Sequence, residues 1–322
     1  MSPDTDGFAP VASASTATCD NSGESKSMSA APKSPAVVIT GVSTGIGFAS
    51  ARLLVERGYH VFGSVRRPQD AEHVRQTLGS RFTPLMFDLR DETMIARAAV
   101  TVRQALGGYR LAGLVNNAAI GLGGPLALQP IDEIKQMFDV NVIGTIAVTQ
   151  AFVPLLGSDT SLKGPPGRII NISSIGGKVG FPFMAGYAGT KFALEGISES
   201  LRRELLVYGI DVIIVAPHST NTPLIDKAEA QGRDITRYEA TPYRDALHRV
   251  VDFIVVDGRQ GYLPGQVAKF VETALSARKP KARYSVVPKP LEAWLLTRVF
   301  SARGVDRALA KQFGIRRAVL GG

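Results

Sequence analysis

Cysteine is almost absent from this sequence of 322 residues. The single cysteine, Cys19, lies in a polar stretch near the N-terminus, so neither an intramolecular disulfide nor a cysteine-based metal site can form. Long apolar runs are lacking as well, because Asn, Gly, Pro or a charged residue interrupts each of them before the roughly 20 residues needed to cross a bilayer. We therefore expect a protein with no metal, no spanning helix and a cytoplasmic location.

Acidic residues are scarce at the C-terminal end of the chain. Between residues 278 and 322, eleven basic residues stand against two acidic ones, and this difference accounts for the whole net charge of +9. The rest of the chain is neutral, so the basic balance does not indicate a nucleic-acid-binding surface on the main body of the protein. We expect no nucleic-acid partner.

The chain divides into three parts by composition. Residues 1–34 are rich in Ser, Ala, Thr and Pro and show no periodicity, which predicts a disordered arm. Residues 35–288 alternate short β-branched runs with segments of helical period. This rhythm predicts an α/β fold of the Rossmann type, a doubly wound parallel sheet between two layers of helices. Residues 289–322 form a basic C-terminal appendage.

Seven strands and at least six helices follow from that rhythm. The strands are predicted at 36–40, 60–65, 82–87, 112–115, 168–172, 211–215 and 283–287. The helical pattern is clearest at 46–57, 91–105, 131–155, 186–207 and 264–277. Residues 220–262, in contrast, are expected to be long, irregular and mixed in charge. In a sheet of this kind the ligand lies beyond the carboxyl ends of the strands.

A glycine-rich turn directly follows the first predicted strand. Thr40–Gly47 reads TGVSTGIG and leads into an apolar helix. Gly41 permits the tight turn, Gly45 lets the backbone approach a diphosphate, and Gly47 lets helix and strand pack closely. Because the helix N-terminus adds amides and a favourable dipole, the pattern predicts dinucleotide binding. The contacts expected from this turn also include Ser43, Thr44 and Ile46.

The same turn contains a rival motif. Gly41–Gly45 matches the G-x-S-x-G nucleophile elbow of the α/β-hydrolases, with Ser43 as the nucleophile. An elbow belongs in mid-sheet and is followed by an acid and then a histidine, whereas this match follows the first strand. His218 or His248 could be nominated as the base, but no acid is specified. A serine hydrolase is therefore a remote alternative.

The end of the second strand bears on the choice of cofactor. A chain that binds NAD usually has Asp or Glu there, which accepts hydrogen bonds from the ribose hydroxyls. Here Arg66 and Arg67 take that position, and guanidinium groups suit the 2′-phosphate of NADP(H). NADP(H) is favoured over NAD(H). Asp88 and Leu89, at the end of the third strand, are expected to contact the adenine.

Four polar residues indicate the chemistry. Tyr187 and Lys191 are four residues apart at the start of a predicted helix and therefore lie on one face. Ser174 follows the preceding strand, and Asn141 is a polar residue inside an apolar helix. Hydride transfer to a carbonyl requires a proton donor within hydrogen-bond reach, and Tyr187 can supply the proton.

Each of the other three groups has an expected part in that transfer. Lys191, together with a positively charged nicotinamide, is expected to lower the pKa of Tyr187. Ser174 can bind and polarise the substrate oxygen. Asn141 can anchor a water that connects Lys191 to solvent for the return of protons.

Five motifs in this order make the chain similar to the short-chain dehydrogenase/reductase family, from about residue 35 to about residue 287. They are TGxxxGIG at 40–47, Asp88-Leu89, Asn116-Asn117-Ala118-Ala119, Asn141, and Ser174 with Tyr187 and Lys191. The resemblance implies Tyr187 as general acid/base, Lys191 and Asn141 in a proton relay, and Ser174 as the group that orients the substrate. It also implies cofactor contacts from Asn117, Ala118, Tyr187, Lys191, Pro217, Ser219 and Thr222.

The chain departs from the family pattern at two positions. Ala119 replaces a glycine, and His218 replaces the glycine that usually follows Pro217. Because Pro217 and Thr222 are kept on both sides, we expect the backbone at residue 218 to tolerate a side chain. A reshaped cofactor loop is the alternative.

The segments VFGSVRRP and KFALEGISESLRREL are similar to the retinol and 17β-hydroxysteroid dehydrogenase branch of the family. That similarity implies a lipophilic alcohol or ketone as substrate, a role in lipid or steroid metabolism and, by analogy, a homodimer or homotetramer. An apolar pocket wall beside Ser174 and Tyr187 is expected from Phe181, Phe183 and Met184, although ordinary core packing would use the same residues. A catalytically silent, NADP(H)-sensing protein is the non-enzymatic alternative.

The basic C-terminal segment has the pattern of an amphipathic helix. Its charged residues Arg303, Arg307 and Lys311 recur every four residues. The apolar residues on the opposite face are Val305, Leu309 and Phe313. Docking over the substrate pocket or a partner subunit is the favoured role, and peripheral membrane contact is the alternative.

Overall fold

The computed structural model describes residues 34–233, 235–287 and 301–316. The predicted disordered arm lies outside the described residues except for its last residue, as does the first part of the C-terminal appendage, residues 289–300. Seven strands of the described chain form one sheet in the order β3-β2-β1-β4-β5-β6-β7, and every neighbouring pair is parallel. The predicted doubly wound α/β fold is therefore confirmed.

The strands end within two residues of their predicted bounds. They are Ala36–Ile39 (β1), His60–Val65 (β2), Phe82–Met86 (β3), Gly113–Asn116 (β4), Arg168–Ile172 (β5), Asp211–Pro217 (β6) and Arg283–Val286 (β7). Along the central strands, successive residues enter apolar clusters on opposite sides of the sheet. Val38 lies in one cluster, whereas Val37 and Ile39 lie in the other. Both faces are buried, which explains why these strands read as continuous β-branched runs.

Ten α-helices are present in the described residues. They are Gly45–Glu56 (α1), Pro68–Leu78 (α2), Glu92–Leu106 (α3), Ile131–Phe138 (α4), Gly144–Val153 (α5), Ala185–Glu204 (α6), Pro223–Arg233 (α7), Arg244–Gln260 (α8), Pro264–Ser276 (α9) and Ala302–Phe313 (α10). A π-helical turn, Asp139–Ile143, joins α4 to α5. The long helix predicted at 131–155 is therefore interrupted at Asn141.

The expectation of an irregular segment at 220–262 was wrong, because α7 and α8 lie there. In α8 the buried side includes Ala246, Leu247 and Val250, whereas charged residues occupy much of the rest of the helix. The mixed charge hid this helical period in the sequence. Helix α2 was not predicted either, because only Val74 and Leu78 of its residues are buried.

The stretch 131–158, which contains α4 and α5, is long and apolar enough by length and composition to cross a membrane. Of the 18 most apolar consecutive residues in this stretch, 56% are buried inside the protein. Val148 and Phe152 of α5 belong to the core cluster on one face of the sheet. Core helices of soluble proteins pass the same test, so the composition of this stretch is weak evidence for a membrane span.

The predicted C-terminal helix is present as α10 and packs on α8. Phe313 is buried and touches the rings of Phe181 and Phe253, with centroid distances of 5.2 and 5.5 Å. Arg249 of α8 donates from Nε to the carbonyl oxygen of Phe313 at 2.9 Å. The basic residues of α10, including Arg307, are exposed. The apolar end of the helix is thus turned towards the protein.

Candidate active site

The motifs of the sequence converge at one edge of the sheet. The strands are parallel, so the segments that follow β1, β4, β5 and β6 all leave the sheet at their carboxyl ends. The glycine turn follows β1, residues 117–124 follow β4, residues 173–178 follow β5 and residues 218–222 follow β6. This edge therefore collects the predicted cofactor and catalytic residues.

The three glycines of the turn, Gly41, Gly45 and Gly47, lie where a side chain would be strained or would clash. Gly41 and Gly45 have φ angles of 70° and 60°, in the left-handed region that favours glycine. A Cβ atom on Gly47 would lie 2.1 Å from the Gly41 carbonyl oxygen and 2.4 Å from Nδ2 of Asn117. One on Gly45 would lie 3.3 Å from Cγ2 of Thr222, which brings these two predicted cofactor residues together. The close backbone approach at this turn fits a bound diphosphate.

The segment after β4 is tied to the glycine turn by hydrogen bonds. Asn117 donates from Nδ2 to the carbonyl oxygens of Thr40 and Gly41 at 2.9 and 3.0 Å. The backbone amides of Asn117 and Ala118 both donate to Oγ1 of Thr40. Asn116 donates to Oδ1 of Asn171 on β5 at 2.8 Å. These bonds fix the turn against the central strands.

The two arginines after β2 differ in their surroundings. Arg67 forms a two-pronged pair with Asp70, with N–O distances of 2.8 and 2.7 Å. Arg66 is 63% exposed, and its Nη1 lies 3.8 Å from Oδ2 of Asp88, farther than a hydrogen bond. Asp88 itself accepts two hydrogen bonds from the Arg90 guanidinium, which hold the pKa of its carboxyl below the usual value. Arg66 is the freer of the two guanidinium groups.

Tyr187 lies on the first turn of α6 with its hydroxyl at Ser174. A hydrogen bond to Ser174 lowers the pKa of the phenol, but burial has the larger effect and raises it. The ring lies beside Gly121, where a Cβ atom would be 3.4 Å from Cδ2 of the tyrosine. Oγ of Ser174 also accepts a hydrogen bond from the Gly176 amide at 3.1 Å. The phenol and the serine hydroxyl are therefore brought together.

Lys191 is buried one turn farther along α6. Its Nζ lies 5.7 Å from the centroid of the Tyr187 ring and donates to the Ile172 carbonyl oxygen at 2.9 Å. Burial lowers the pKa of Lys191 to about 8, and the charge of Glu195 acts in the opposite direction. We expected the lysine charge to help lower the pKa of Tyr187. Without a bound cofactor, burial dominates and raises that pKa, so the expected effect of the lysine together with the nicotinamide stays a prediction.

Asn141 fixes the backbone of the segment after β4. It accepts a hydrogen bond from the Ile120 amide at 2.8 Å and donates from Nδ2 to the Ile120 carbonyl at the same distance. Nδ2 also donates to Oγ1 of Thr190 on α6 at 3.1 Å. Both amide hydrogens are thus used within the protein, and only the oxygen retains capacity for a water.

The residues predicted to line a substrate pocket separate into two groups. Met184 and Phe183 border the segment after β4, because the Gly124 amide donates to the Phe183 carbonyl at 2.8 Å and a Cβ on Gly123 would lie 3.2 Å from Sδ of Met184. Phe183 has a φ of 61°, unusual for a residue with a side chain. Phe181 instead belongs to the aromatic contact with α8 and α10.

The loop after β6 accommodates the histidine that replaces a glycine. The backbone of His218 is not in the left-handed region, so glycine is not required there. Its Nδ1 lies 3.7 Å from Oδ2 of Asp257 on α8, and Ser219 donates a short hydrogen bond to the same oxygen. The hydroxyl of Ser219, a predicted cofactor contact, is thus already bound. Tolerance of a side chain at residue 218 was the favoured expectation, and the backbone agrees with it.

The hydrolase alternative gains no geometric support. His248 is bound to Glu239 at 2.8 Å and His218 lies against Asp257. Within the described ranges, no hydrogen bond joins Ser43 to either histidine.

Three further residues belong to the site, although no motif singled them out. Gly121 borders the Tyr187 ring, Thr190 binds Asn141, and Glu195 is buried one turn after Lys191. A helical period counted from Lys191 would have placed Glu195 on the same buried face. The contact of Thr190 with Asn141 joins residues 49 apart, which no local pattern shows.

Comparisons with known proteins agree with this geometry. A family model described as short chain dehydrogenase matches residues 35–232. The chain is 37% identical over 258 residues to the NADPH-dependent 3-dehydrocapnine reductase of Ornithobacterium rhinotracheale, covering 79% of this chain and 88% of that protein. It is 30% identical to the 3-ketodihydrosphingosine reductase of Bacteroides thetaiotaomicron, with 78% and 87% covered. It is 31% identical to retinol dehydrogenase 5 of Mus musculus, with 85% and 87% covered.

Solved structures share the same fold. A short-chain dehydrogenase from Streptomyces avermitilis superposes with a TM-score of 0.67 at 24% identity, covering 88% of this chain and 97% of that one. Levodione reductase superposes with a TM-score of 0.66 at 20% identity, covering 81% and 98%.

Proposed function

The chain belongs to the short-chain dehydrogenase/reductase family, and on that basis we propose that it reduces the carbonyl group of a lipophilic small molecule with NADPH. The family resemblance predicted from the motifs is thereby confirmed, and with it the class of oxidoreductases that act on alcohols and carbonyls. The preferred cofactor, the residues that act on the substrate and the substrate itself are the parts that we propose.

One observation carries the proposal. Tyr187 and Ser174 lie together, and the Lys191 ammonium lies one turn away, at the sheet edge that also carries the glycine turn. Reduction of a carbonyl consumes one hydride and one proton. Bound NADPH supplies the hydride, so the protein has to supply the proton.

Tyr187 is the proposed proton donor. Burial raises its pKa, so the phenol holds its proton at neutral pH and can give it to the alkoxide oxygen. Ser174 donates to the same substrate oxygen and orients it. Lys191 stabilises the phenolate that remains and binds the nicotinamide ribose, and Asn141 holds the backbone against which the site is built. Each of these roles is a proposal that rests on the placement of the side chain.

The cofactor preference rests on β2 and its end. No carboxylate occupies the end of this strand, and Arg66 is exposed and makes no hydrogen bond to any of the described residues. We assign the 2′-phosphate of NADP(H) to Arg66, because a bidentate guanidinium contact suits a phosphate. The NADPH dependence in the name of the 3-dehydrocapnine reductase supports the same preference. The diphosphate would be held by Gly41, Gly45 and the first amides of α1.

The proposed substrate is a lipophilic ketone. The 3-dehydrocapnine and 3-ketodihydrosphingosine reductases are named for carbonyl reduction, and retinol dehydrogenase 5 for a lipophilic alcohol. The proposed wall contains Phe183, four residues before Tyr187, which packs on Tyr238, Leu247 and Tyr243. An apolar wall and a small set of hydrogen-bonding groups suit a ligand that carries one polar centre.

Purified protein tests the proposal directly. Long-chain 3-keto amines, retinoids, steroids and short aliphatic ketones are each incubated with NADPH or NADH, and the nicotinamide absorbance is followed. We expect NADPH oxidation with the long-chain ketones and little with the short ones. NADPH binding without turnover of any ketone would favour the silent sensing protein, and ester cleavage without nucleotide would favour the hydrolase.

The quaternary state and location are also proposals. Phe192 on α6 and Ile143 before α5 are about half exposed, as is expected where apolar side chains meet a second copy in a homodimer or homotetramer. We propose a cytoplasmic enzyme without a nucleic-acid partner. Membrane contact through α10 has less support, because Phe313 is already buried against α8.

A further inference from the structure

A buried carboxylate lies one helical turn beyond Lys191. Glu195 occupies the same face of α6, and its side chain is only 4% exposed. An ionised carboxylate inside a protein is costly unless opposite charges are placed around it. Helix α6 therefore holds two buried side chains of opposite charge, Lys191 and Glu195, four residues apart.

Two cations from other elements reach this carboxylate. Arg283 on β7 donates from Nη1 to Oε1 of Glu195 in a short ion pair. Lys178, in the turn after β5, places its Nζ 3.5 Å from Oε2. Oε2 has no hydrogen bond of good geometry within the described ranges. The carboxylate is thus fixed on one oxygen and less fully neutralised on the other.

The buried ammonium of Lys191 is only partly stabilised by its surroundings. It donates to one carbonyl, that of Ile172. Burial disfavours the ammonium form, and among the described residues the charge of Glu195 opposes that effect and raises the pKa of Lys191. The titratable and charged groups around the pair are Tyr187 on the same helix, Lys178 and Arg283.

We propose that Glu195 is a positioning residue that keeps Lys191 protonated, while Arg283 and Lys178 hold the carboxylate and limit the negative charge that reaches the lysine. The inference rests on the proposed function, because it gives Lys191 its charged role beside Tyr187. It adds a group on the β7 side of the site that none of the five family motifs contains.

Glu195→Gln and Lys178→Met are expected to shift the pKa of Lys191 in opposite directions. Glu195→Gln removes the negative charge, so the pKa of Lys191 falls below about 8. The alkaline limb of the kcat profile therefore moves to lower pH. Lys178→Met removes a cation from beside the carboxylate, so more negative charge acts on Lys191 and turnover persists to higher pH. We expect each alkaline limb to move by roughly half to one pH unit.

The test measures kcat against pH for the full-length enzyme with saturating NADPH and ketone. Glu199→Gln is the matched control, because Glu199 is an exposed carboxylate of the same helix, 3.7 Å from Arg203. Titration of the lysine Cε signals by NMR, without cofactor, gives the pKa of Lys191 independently of activity, with Lys191→Met identifying the signal. Limbs that move in opposite directions, with matching NMR titrations, support the inference.

A purely structural role predicts a different result. Glu195→Gln would then lower kcat by the same factor at every pH and leave the Lys191 titration unmoved, and this outcome overturns the inference. If that variant does not fold, Lys178→Met decides, since Lys178 is 46% exposed and its loss leaves the core intact. Failure of the proposed function is separate: the wild-type protein would then turn over no ketone with NADPH, while the NMR titration would still report the effect of Glu195 on Lys191.

Discussion

The surroundings of Tyr187 favour the protonated form of its phenol. Burial raises the pKa of its phenol, and the hydrogen bond to Ser174 only partly offsets that effect. A phenol that keeps its proton at neutral pH is suited to protonating an alkoxide, which is the reductive direction.

The first prediction concerns that proton. Tyr187→Phe should lower kcat for ketone reduction by about 10²- to 10⁴-fold, the usual contribution of a general acid. NADPH affinity, measured by quenching of intrinsic fluorescence, should stay within about threefold of the wild type, because the ring is kept. Glu199→Gln, a change of an exposed side chain on the same helix, serves as the control. Substantial turnover by the Tyr187 variant would remove this residue from the acid role.

The second prediction separates the two arginines. Arg66→Ala should raise the KM for NADPH by about 10- to 100-fold, because a charge-assisted contact to phosphate contributes roughly 1.5–3 kcal/mol. The KM for NADH should hardly change. Arg67→Ala should have a much smaller effect, since Arg67 is already paired with Asp70. Equal losses with both nucleotides in the Arg66 variant would contradict the assignment.

At the scale of whole elements, helix α1 packs against the glycine turn so closely that Gly47 has no room for a side chain. The third prediction is that Gly47→Ala weakens NADPH binding at least about tenfold, roughly 1.4 kcal/mol. The added Cβ would meet the Gly41 carbonyl oxygen at 2.1 Å, so α1 has to move. Gly196→Ala on α6 is the control, because nothing lies within 4 Å of its Cβ position.

The same two variants also differ in their expected thermal stability. Alanine replaces glycine inside a helix in both variants, which by itself adds about 0.5–1 kcal/mol of stability. Thermal unfolding should therefore show Gly196→Ala more stable and Gly47→Ala less stable than the wild type. A Gly47→Ala protein with normal NADPH affinity would mean that the turn does not hold the diphosphate.

The strands and the main motifs could be predicted from the sequence because each depends on local pattern. A run such as AVVI marks a strand buried on both faces, and three glycines before a helix mark a phosphate turn. Helices α7 and α8 could not be predicted, because their charge obscures the helical period. Glu195 escaped notice for a related reason: a carboxylate in a helix is usually solvated, and only the arrival of Arg283 from β7 shows why it is buried.

At the scale of the whole molecule, aromatic contacts join the C-terminal helix to the segment that precedes Tyr187. Phe313 of α10 meets both Phe181 and Phe253, and Phe181 lies six residues before Tyr187. The carbonyl of Phe313 also receives the Arg249 hydrogen bond. A substitution in α10 should therefore change the affinity of the site for its substrate.

The fourth prediction follows from these contacts. Phe313→Ala should destabilise the docking of α10 by about 3 kcal/mol, within the range for a buried phenylalanine. The KM for a lipophilic ketone should rise while the KM for NADPH stays near the wild-type value, as measured by steady-state kinetics. Lys311→Ala is the control, because Lys311 is exposed on the same helix. A rise in the NADPH KM alone would contradict this coupling.

The unusual backbone of Phe183 has a consequence for how this region can vary. A φ of 61° is unfavourable for phenylalanine, and it persists because the Gly124 amide holds the carbonyl while Tyr243 and Leu247 hold the ring. Glycine at 183 would relieve the backbone but remove the ring from the wall. Loosening the packing of α8 would likewise let the backbone around Phe183 relax, four residues before Tyr187. Substitutions in α8, which is distant in sequence, should therefore change the substrate preference before they abolish catalysis.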